Sequence, residues 1–485
     1  MKLADLRGPV ISALRWTVLS RLIMQAITWS ATIVAVRILT PSDYGIVAIG
    51  TAFSNYLQLL GEAGLGSALV QQQIRDRATL KAVFSVLLAA GILLAGVVFS
   101  LAPLVGTAFR EPRTVPVMRM VGLAFVLLPF LTLSDSMLRM DLRFKELGIA
   151  NIVGAVVTAV AVVCLALGGA GPYALVGSYL LGLIARMAVM QWYAKAPLRV
   201  TLSIGPVRKL LRYSTLLAID RSVAYWYREA DYPIVARFST AGVLGAFSVA
   251  KNIIHMPLDR IGGISNGVFF PTYSLIKEHG TIISEAFLKS LRMAAYLFFP
   301  MFWGLGAIAG PLVEVVLGKK WNAAVLPMEI MAIPMPLRAL KDMSQPLVRA
   351  VGRPGISLTI NAVAALVVIP LQVLGMIHFG VAGVAGAWAV GYPIVFFVMI
   401  RILTRMLSIK PSAVWFDLGK PVLCALLMTA TVIWTDYGLL RLEQPLVQLL
   451  AGIGVGVLVY FLSVGVIDNR ALRQLTGFIL SLFRK

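Results

Sequence analysis

Residues 82–108 read AVFSVLLAAGILLAGVVFSLAPLVGTA and contain no charged side chain. An α-helix rises about 1.5 Å per residue, so roughly 20 apolar residues cross the hydrocarbon core of a bilayer. This stretch is long enough to do so, and stretches of the same kind recur along the chain. The sequence therefore predicts an all-α protein embedded in a membrane.

The overall composition supports a membrane protein and argues against a soluble one. Of the 485 residues, 59% are hydrophobic and only 13% are charged, and the mean hydropathy is +0.88. A soluble domain is about 45–50% apolar and about 25% charged. The net charge is +22, but the basic residues form short clusters between apolar stretches, which is typical of cytoplasmic loops. We therefore expect no nucleic-acid partner.

About fourteen apolar stretches have the length of a transmembrane helix. They lie at 15–38, 44–66, 82–108, 117–138, 148–167, 173–194, 214–236, 241–268, 291–317, 328–348, 356–378, 381–403, 419–438 and 446–467. The seventh and tenth carry charges in mid-span. Residues 468–485 resemble a short amphipathic helix on the membrane surface.

The distribution of basic residues predicts the orientation. With the N-terminus in the cytoplasm, 27 of the 43 Lys and Arg residues fall in cytoplasmic segments and 7 in outer loops. Cytoplasmic loops carry such an excess. We expect a multi-pass protein of the bacterial inner membrane with both termini in the cytoplasm.

An internal repeat relates the two halves of the chain. Arg37, Thr40 and Gly45 recur 200 residues later at 237, 240 and 245, and Arg139 and Arg143 recur 210 residues later at 349 and 353. The unit is six helices, so both copies have the same orientation. We predict an N-lobe over 1–194 (helices 1–6), a C-lobe over 195–403 (helices 7–12), and helices 13–14 with a tail over 404–485.

Several stretches resemble one family of transporters. Residues 37–45 (RILTPSDYG), 60–71 (LGEAGLGSALVQ), 242–250 (GVLGAFSVA) and 318–321 (GKKW) are similar to the polysaccharide transporter family. Its Wzx-type flippases belong to the multidrug/oligosaccharidyl-lipid/polysaccharide exporter superfamily. The family often has Asp where this chain has Glu62. The resemblance therefore implies an acidic residue at this position but no specific role for it.

The resemblance implies a function and a substrate. It implies two six-helix lobes with two further helices beside them, and alternating access to an undecaprenyl-diphosphate-linked oligosaccharide for lipopolysaccharide or exopolysaccharide synthesis. Membrane lipid, a polysaccharide polymerase and chain-length machinery are the other partners expected. We expect no enzymatic activity and no cofactor: Cys164 and Cys424 lie alone in apolar stretches, and no phosphate-binding loop is present.

Charges inside the predicted helices are candidates for the substrate site, because a charge in mid-bilayer is costly unless it faces a cavity or a partner. In helix 7, Arg221, Tyr225, Arg228 and Tyr232 have the spacing of one helical face. Arginines suit a diphosphate and aromatic rings suit sugar faces. The alternative is an internal network with Asp220 or Asp231 that only lets the helix insert.

Further candidates lie in helices 10, 1 and 6. Arg338 and Lys341 share a face of helix 10, where several prolines predict a kink. Arg21 and Arg186 are the candidates in the N-lobe. All four are predicted to line the cavity that receives the diphosphate and the sugar.

Ion coupling is predicted at acidic and histidine side chains. Asp231 and Asp342 are acids within helices, and Lys251, His255 and Asp259 repeat at intervals of four residues in helix 8. His titrates near neutral pH, so a proton relay is one reading of this row. A structural role beside Lys and Asp is the other.

Three other functions compete with the flippase interpretation. A multidrug antiporter of the same superfamily predicts twelve helices and an acidic cavity. A peptidoglycan-precursor flippase shares fourteen helices and a basic cavity, and so stays open. A membrane glycosyltransferase or polymerase needs a large loop bearing carboxylates, and the longest loop here has about 20 residues.

Overall fold

The computed structural model describes residues 3–61, 65–201, 215–276, 280–435 and 444–473. Within these ranges the regular elements are helices, and none is a β-strand. The α-helices are α1 (Leu3–Ile38), α2 (Pro41–Gly61), α3 (Leu65–Gln72), α4 (Arg77–Ala108), α5 (Thr114–Met140), α6 (Phe144–Leu167), α7 (Pro172–Ala194), α8 (Thr215–Glu229), α9 (Asp231–Phe238), α10 (Ala241–Ile276), α11 (Gly280–Ala307), α12 (Ala309–Leu312), α13 (Val325–Ala332), α14 (Met335–Ala350), α15 (Pro354–Leu407), α16 (Pro411–Trp434) and α17 (Pro445–Ile467). A π turn (Val313–Leu317) and a 3-10 helix (Lys319–Ala324) join α12 to α13.

Local side-chain contacts define the starts of the early helices. Before α2, the Asp43 carboxylate accepts from the Thr40 amide at 2.8 Å and from its hydroxyl at 2.7 Å. Before α4, Asp76 accepts from the Thr79 amide at 2.9 Å, and this bond holds the pKa of the Asp76 carboxyl below its usual value. Such bonds satisfy amides that the first helical turn leaves without a partner.

The all-α membrane fold predicted from the sequence is confirmed. Among the described residues, eight helices are long and apolar enough to cross a bilayer, and ten if two bent pairs each count as one span. Large apolar side chains such as Leu93, Leu366 and Phe379 point outwards, as lipid-facing residues do. The count of fourteen stays a prediction.

The bent pairs lie in the predicted ninth and tenth spans. Residues Thr281–Ala307 and Ala309–Leu317 meet at 70°, and Lys319–Ala332 and Met335–Ala350 meet at 56°. The second bend falls at Pro334 and Pro336, so the kink expected in the tenth span is confirmed. Proline removes a helical hydrogen bond and its ring clashes with the preceding turn.

Helix α15 is a hairpin. Gly380 has φ 62° and ψ −145°, which is outside the helical region. Around it, a Cβ added at Gly375 would overlap the Gly383 backbone, and the reverse also holds. Eight residues of straight helix would separate these positions by about 12 Å, so the chain reverses at Gly380, between the predicted spans 356–378 and 381–403.

The N-terminal unit comprises Met1–Tyr225 with Ser239–Gly245. Its main packing pairs are α6 with α7, α4 with α5, α1 with α6, and α5 with α7. One apolar core joins α2, α5, α6 and α7 around Ile46, Val117 and Ala150. A second lies among α3, α4 and α5 around Leu69, Val83 and Leu133.

Two glycines related by the sequence repeat meet inside this unit. A Cβ at Gly45 in α2 would overlap the carbonyl of Ala241, and a Cβ at Gly245 in α10 would overlap the carbonyl of Pro41. The first turns of α2 and α10 therefore touch backbone to backbone. Small residues permit such close approach between membrane helices.

The C-terminal unit comprises Trp226–Phe238 with Ala246–Lys485. Here α11 packs on α16, α16 on α17, and α15 on α9, α13 and α14. Tyr296 of α11, Cys424 and Met428 of α16, and Tyr460 and Val464 of α17 form an apolar core. The predicted boundaries of the lobes stay predictions.

Candidate functional site

The seventh predicted span is broken in the C-terminal unit. The sequence predicts one helix over 214–236, whereas α8 ends at Glu229 and α9 begins at Asp231. Pro233 lacks an amide hydrogen, and its ring disfavours a regular turn around the Glu229 carbonyl. The Tyr232 amide donates instead to the Asp231 carboxylate, at 2.9 Å.

Lys251 of α10 fills this break. Its ammonium donates to the Arg228 carbonyl at 2.7 Å, to Glu229 at 3.0 Å and to Asp231 at 2.8 Å. It also lies 4.2 Å from the centre of the Tyr232 ring. Lys251 is 1% exposed and Asp231 0%, so this is a buried ion pair whose ammonium also binds helix backbone.

Arg338 of α14 lies between a histidine and two aromatic rings. Its Nη1 is 2.8 Å from Nε2 of His255, and its guanidinium lies 5.8 Å from the centres of the Trp388 and Tyr392 rings, which are stacked. A guanidinium can only donate. Nε2 of His255 is therefore the acceptor, and the neutral ring carries its proton on Nδ1.

Lys341 lies one turn further along α14. Its ammonium donates to the Tyr227 hydroxyl at 2.6 Å and to Asn361 at 3.4 Å, and it lies 4.6 Å from the centre of the Tyr227 ring. Asp342 is 3.6 Å from Lys341 and 3.9 Å from Arg338. These are ion-pair distances beyond ordinary hydrogen-bond length.

Arg338 and Lys341 thus share a single carboxylate. Both are buried, at 3% and 1% exposure, while the Asp342 side chain is 36% exposed. The two acids nearest to Lys251 already bind that ammonium. Counted over the residues that the structure describes, the Arg338–Lys341–Asp342 group therefore carries one excess positive charge, which suits an anionic ligand.

A separate charged cavity lies in the N-terminal unit, with a volume of about 870 Å³. Asp135 on its wall contacts Arg139 at 2.5 Å and Arg186 at 4.0 Å. Gln58, Thr132 and Tyr179 also line it. Arg186, predicted from the sequence as an N-lobe site residue, thus borders a cavity.

The remaining predicted residues have other surroundings. Arg228 is exposed, and so is Arg21 on α1. Tyr225 is buried and donates its hydroxyl hydrogen to the Ala52 carbonyl. The side chains of Arg221 and Asp259 lie outside the described residues, as do Glu62 and the chain beyond 473. The role of each in binding or coupling stays a prediction.

The structure adds partners that sequence reasoning missed. Tyr227 lies off the face defined by Tyr225 and Arg228, yet it binds Lys341. Trp388 and Tyr392 flank Arg338 from about fifty residues away in the chain. In the sequence, Trp388 and Tyr392 are an aromatic pair four residues apart in an apolar helix. Such a pair only weakly indicates a functional site, because it is also a common packing element.

The described residues contain no group of His, Cys, Asp and Glu side chains placed to hold a metal ion. Cys164 is exposed and Cys424 is buried.

Comparison with known proteins places the fold and the family. The chain is 24% identical over 425 residues to the lipopolysaccharide biosynthesis protein WzxC of Escherichia coli, covering 86% of this chain and 82% of that protein. It is 25% identical over 471 residues to the succinoglycan biosynthesis transport protein ExoT of Rhizobium meliloti, covering 95% and 93%.

Solved structures include one with the same fold. The lipid II flippase MurJ, in an inward closed conformation, superimposes with a TM-score of 0.75 at 14% identity, covering 94% of this chain and 98% of that one. A family model described as "polysaccharide biosynthesis protein" matches residues 34–326, more than half of the chain. With that match, the chain belongs to the polysaccharide biosynthesis protein family.

Proposed function

We propose that this protein is a flippase. It moves an undecaprenyl-diphosphate-linked oligosaccharide from the cytoplasmic to the periplasmic face of the bacterial inner membrane, for surface or exopolysaccharide synthesis. The observation that carries the proposal is the pair of buried cations, Arg338 and Lys341, for which Asp342 is the one ion-pair partner among the described residues. The family and the relative named as a transport protein support the same reading.

The chemistry of the pair suits a diphosphate. A cation in mid-membrane costs about 2.5–3.5 kcal/mol on insertion scales unless it is compensated. Asp342 compensates two cations from beyond hydrogen-bond distance. Diphosphate oxygens would supply charge-assisted bonds to both, and the planar guanidinium of Arg338 can bind two oxygens at once.

The proposed transport cycle uses exposed and buried residues in turn. Arg228, which is exposed, makes the first contact with the diphosphate, together with Arg221, while the prenyl chain stays in lipid. Alternating access then exposes Arg338 and Lys341 to the headgroup. Opening to the outer side releases the headgroup, and no covalent bond is made or broken.

Coupling to an ion gradient is proposed at His255, Asp231, Asp342 and Asp259. His255 accepts a bond from Arg338, and a protonated ring could no longer accept it. Proton uptake at His255 would therefore release Arg338 towards a ligand. Asp231 is bonded to Lys251, so it acts only when that ion pair opens.

The rival reading as a cation-exporting antiporter finds less support. Such a protein needs a carboxylate free to receive a cationic drug. Asp231 is fully buried and bound to Lys251, and Asp342 faces two cations. A peptidoglycan-precursor flippase remains the second candidate because MurJ has the same fold.

The test is transport by the purified protein in proteoliposomes. An undecaprenyl-diphosphate oligosaccharide with a terminal galactose is placed in both leaflets, and an impermeant galactose oxidase reports the fraction on the outside. We expect wild type to make the full pool accessible. Arg338→Gln with Lys341→Gln should slow this at least about tenfold, since each charged hydrogen bond contributes about 1.5–3 kcal/mol.

The matched control is Arg401→Gln, which changes an exposed arginine in the same unit. It should transport at the wild-type rate. Wild-type protein that leaves half of the substrate inaccessible would contradict the proposal. If the double variant transports at the wild-type rate, Arg338 and Lys341 are not part of the substrate site.

A further inference from the structure

The N-terminal unit contains a cavity that the proposed diphosphate site does not use. It has a volume of about 870 Å³ and is bordered by α2, α3, α5 and α7. Pockets for small organic ligands span about 300–1,000 Å³, so this one has room for several sugar rings. A diphosphate alone would fill only a small part of it.

The charges on its wall are unevenly paired. The Asp135 carboxylate makes two contacts with Arg139, at 2.5 and 3.3 Å, but only a long one with Arg186, at 4.0 Å. The Arg186 side chain is 36% exposed, and its buried Nε has no hydrogen-bond partner among the described residues. Arg186 thus lacks a close carboxylate partner, and the described residues on the cavity wall carry one excess positive charge.

The rest of the wall has the groups that bind sugars. Gln58 and Thr132 offer amide and hydroxyl groups beside the charges. Tyr179, whose side chain is 40% exposed, borders both this cavity and an adjoining one of about 270 Å³. The second cavity contains Asn55 and no charged residue. Together they offer a charged compartment, an aromatic face and a neutral compartment.

We propose that this double cavity binds the glycan of the substrate, and that Arg186 selects glycans bearing a carboxylate, such as a uronic acid. The inference rests on the proposed function and names its substrate class. A carboxylate matches the single excess charge and the bidentate geometry of a guanidinium. A doubly charged diphosphate would exceed that charge and leave most of the volume empty.

The first experiment measures binding without transport. Two soluble trisaccharides that differ only in a terminal glucuronate or glucose are titrated into the purified protein, by calorimetry. We expect wild type to prefer the acidic one about tenfold or more, the effect of one charged hydrogen bond. Arg186→Gln should bring the ratio near one, and Asp135→Asn should raise it by removing the competing carboxylate.

Arg77→Gln is the matched control, because Arg77 is exposed on the same unit and does not border the cavity. It should keep the wild-type ratio. Equal affinity for both sugars in wild type, or an undiminished preference in Arg186→Gln, would overturn the inference. Displacement of the acidic sugar by inorganic pyrophosphate at lower concentration than by glucuronate would also overturn it, by assigning the cavity to the diphosphate.

The binding result and the transport result are independent. If proteoliposomes flip acidic and neutral lipid-linked trisaccharides at equal rates and neither sugar is preferred in binding, the selectivity is wrong and the flippase stands. If an Arg186-dependent preference is found where no lipid-linked sugar is flipped, the glycan site stands and the transport proposal is wrong.

Discussion

At Lys251 a single ammonium binds one backbone carbonyl and two carboxylates of the same broken segment. Asp231 is fully buried, so its carboxylate would otherwise have no water to bind it. The Lys251 side chain therefore compensates both the negative charge of Asp231 and the carbonyl of Arg228, because the Tyr232 amide, which would bind that carbonyl in a regular helix, binds Asp231 instead.

Replacing Lys251 should be costly for stability. Lys251→Met removes one member of a buried pair, a change that costs about 3–5 kcal/mol. We expect Lys251→Met to lower the thermal denaturation midpoint in detergent. The double variant Lys251→Met with Asp231→Asn should lower the midpoint by less than the sum of the decreases in the two single variants. Lys410→Met, at an exposed lysine of the same unit, should leave the midpoint unchanged. Strict additivity would show that the pair is not coupled.

Individual site residues were predictable where the sequence carried a charge inside an apolar stretch. Arg186, Arg338 and Lys341 stand out in this way because such charges are rare. The aromatic partners of Arg338 and Lys341 could not be identified in this way, since Tyr227, Trp388 and Tyr392 are residue types that are common in membrane helices. Their proximity to the charges depends on packing between helices distant in sequence.

At the scale of elements, the contact between α2 and α10 depends on two glycines. Gly45 and Gly245 occupy matching places in the repeat, and at each a Cβ would overlap backbone of the other helix. Backbone cannot move aside as a flexible side chain can, so the helices would have to separate.

We therefore expect Gly45→Ala and Gly245→Ala to destabilise the protein by similar amounts, at least about 1–3 kcal/mol, the usual cost of overpacking. The measurement is the denaturation midpoint together with the yield of folded protein. Gly386→Ala is the control: nothing lies within 4 Å of a Cβ there, and alanine favours a helix over glycine. A stable Gly45→Ala protein would contradict the close contact.

Some helix boundaries were predictable from length and hydropathy: the predicted spans 117–138 and 173–194 match α5 and α7 within a few residues. Others were wrong, since α1 begins at Leu3 rather than at residue 15, and breaks within spans were not always predictable. Proline indicated the bend at 332–335, and the structure has it. The break at Ala230 was missed because Tyr225, Arg228 and Tyr232 fit an unbroken face. Lys251, supplied by another helix, binds the irregular backbone there, and such bonds make non-helical backbone tolerable in a membrane.

For the whole molecule, the bias of basic residues predicts the orientation in the membrane. We expect a single cysteine at Arg110, in a background with Cys164 and Cys424 replaced by serine, to react with an impermeant maleimide added outside spheroplasts. A cysteine at Lys195 should react only after permeabilisation, because its loop is predicted to be cytoplasmic. Both native positions are exposed. The reverse labelling pattern would show that the protein has the opposite orientation in the membrane.

The bond from Lys251 to the break has a consequence for biosynthesis. Asp231 is synthesised twenty residues before Lys251. The segment around Ala230 therefore leaves the ribosome before Lys251 is present to bind the Glu229 and Asp231 carboxylates and the Arg228 carbonyl. A nascent chain stopped before Lys251 should leave residues 215–238 in the aqueous channel of the insertion machinery. The segment can enter lipid only with the following helix, so the two are delivered to the membrane as a pair.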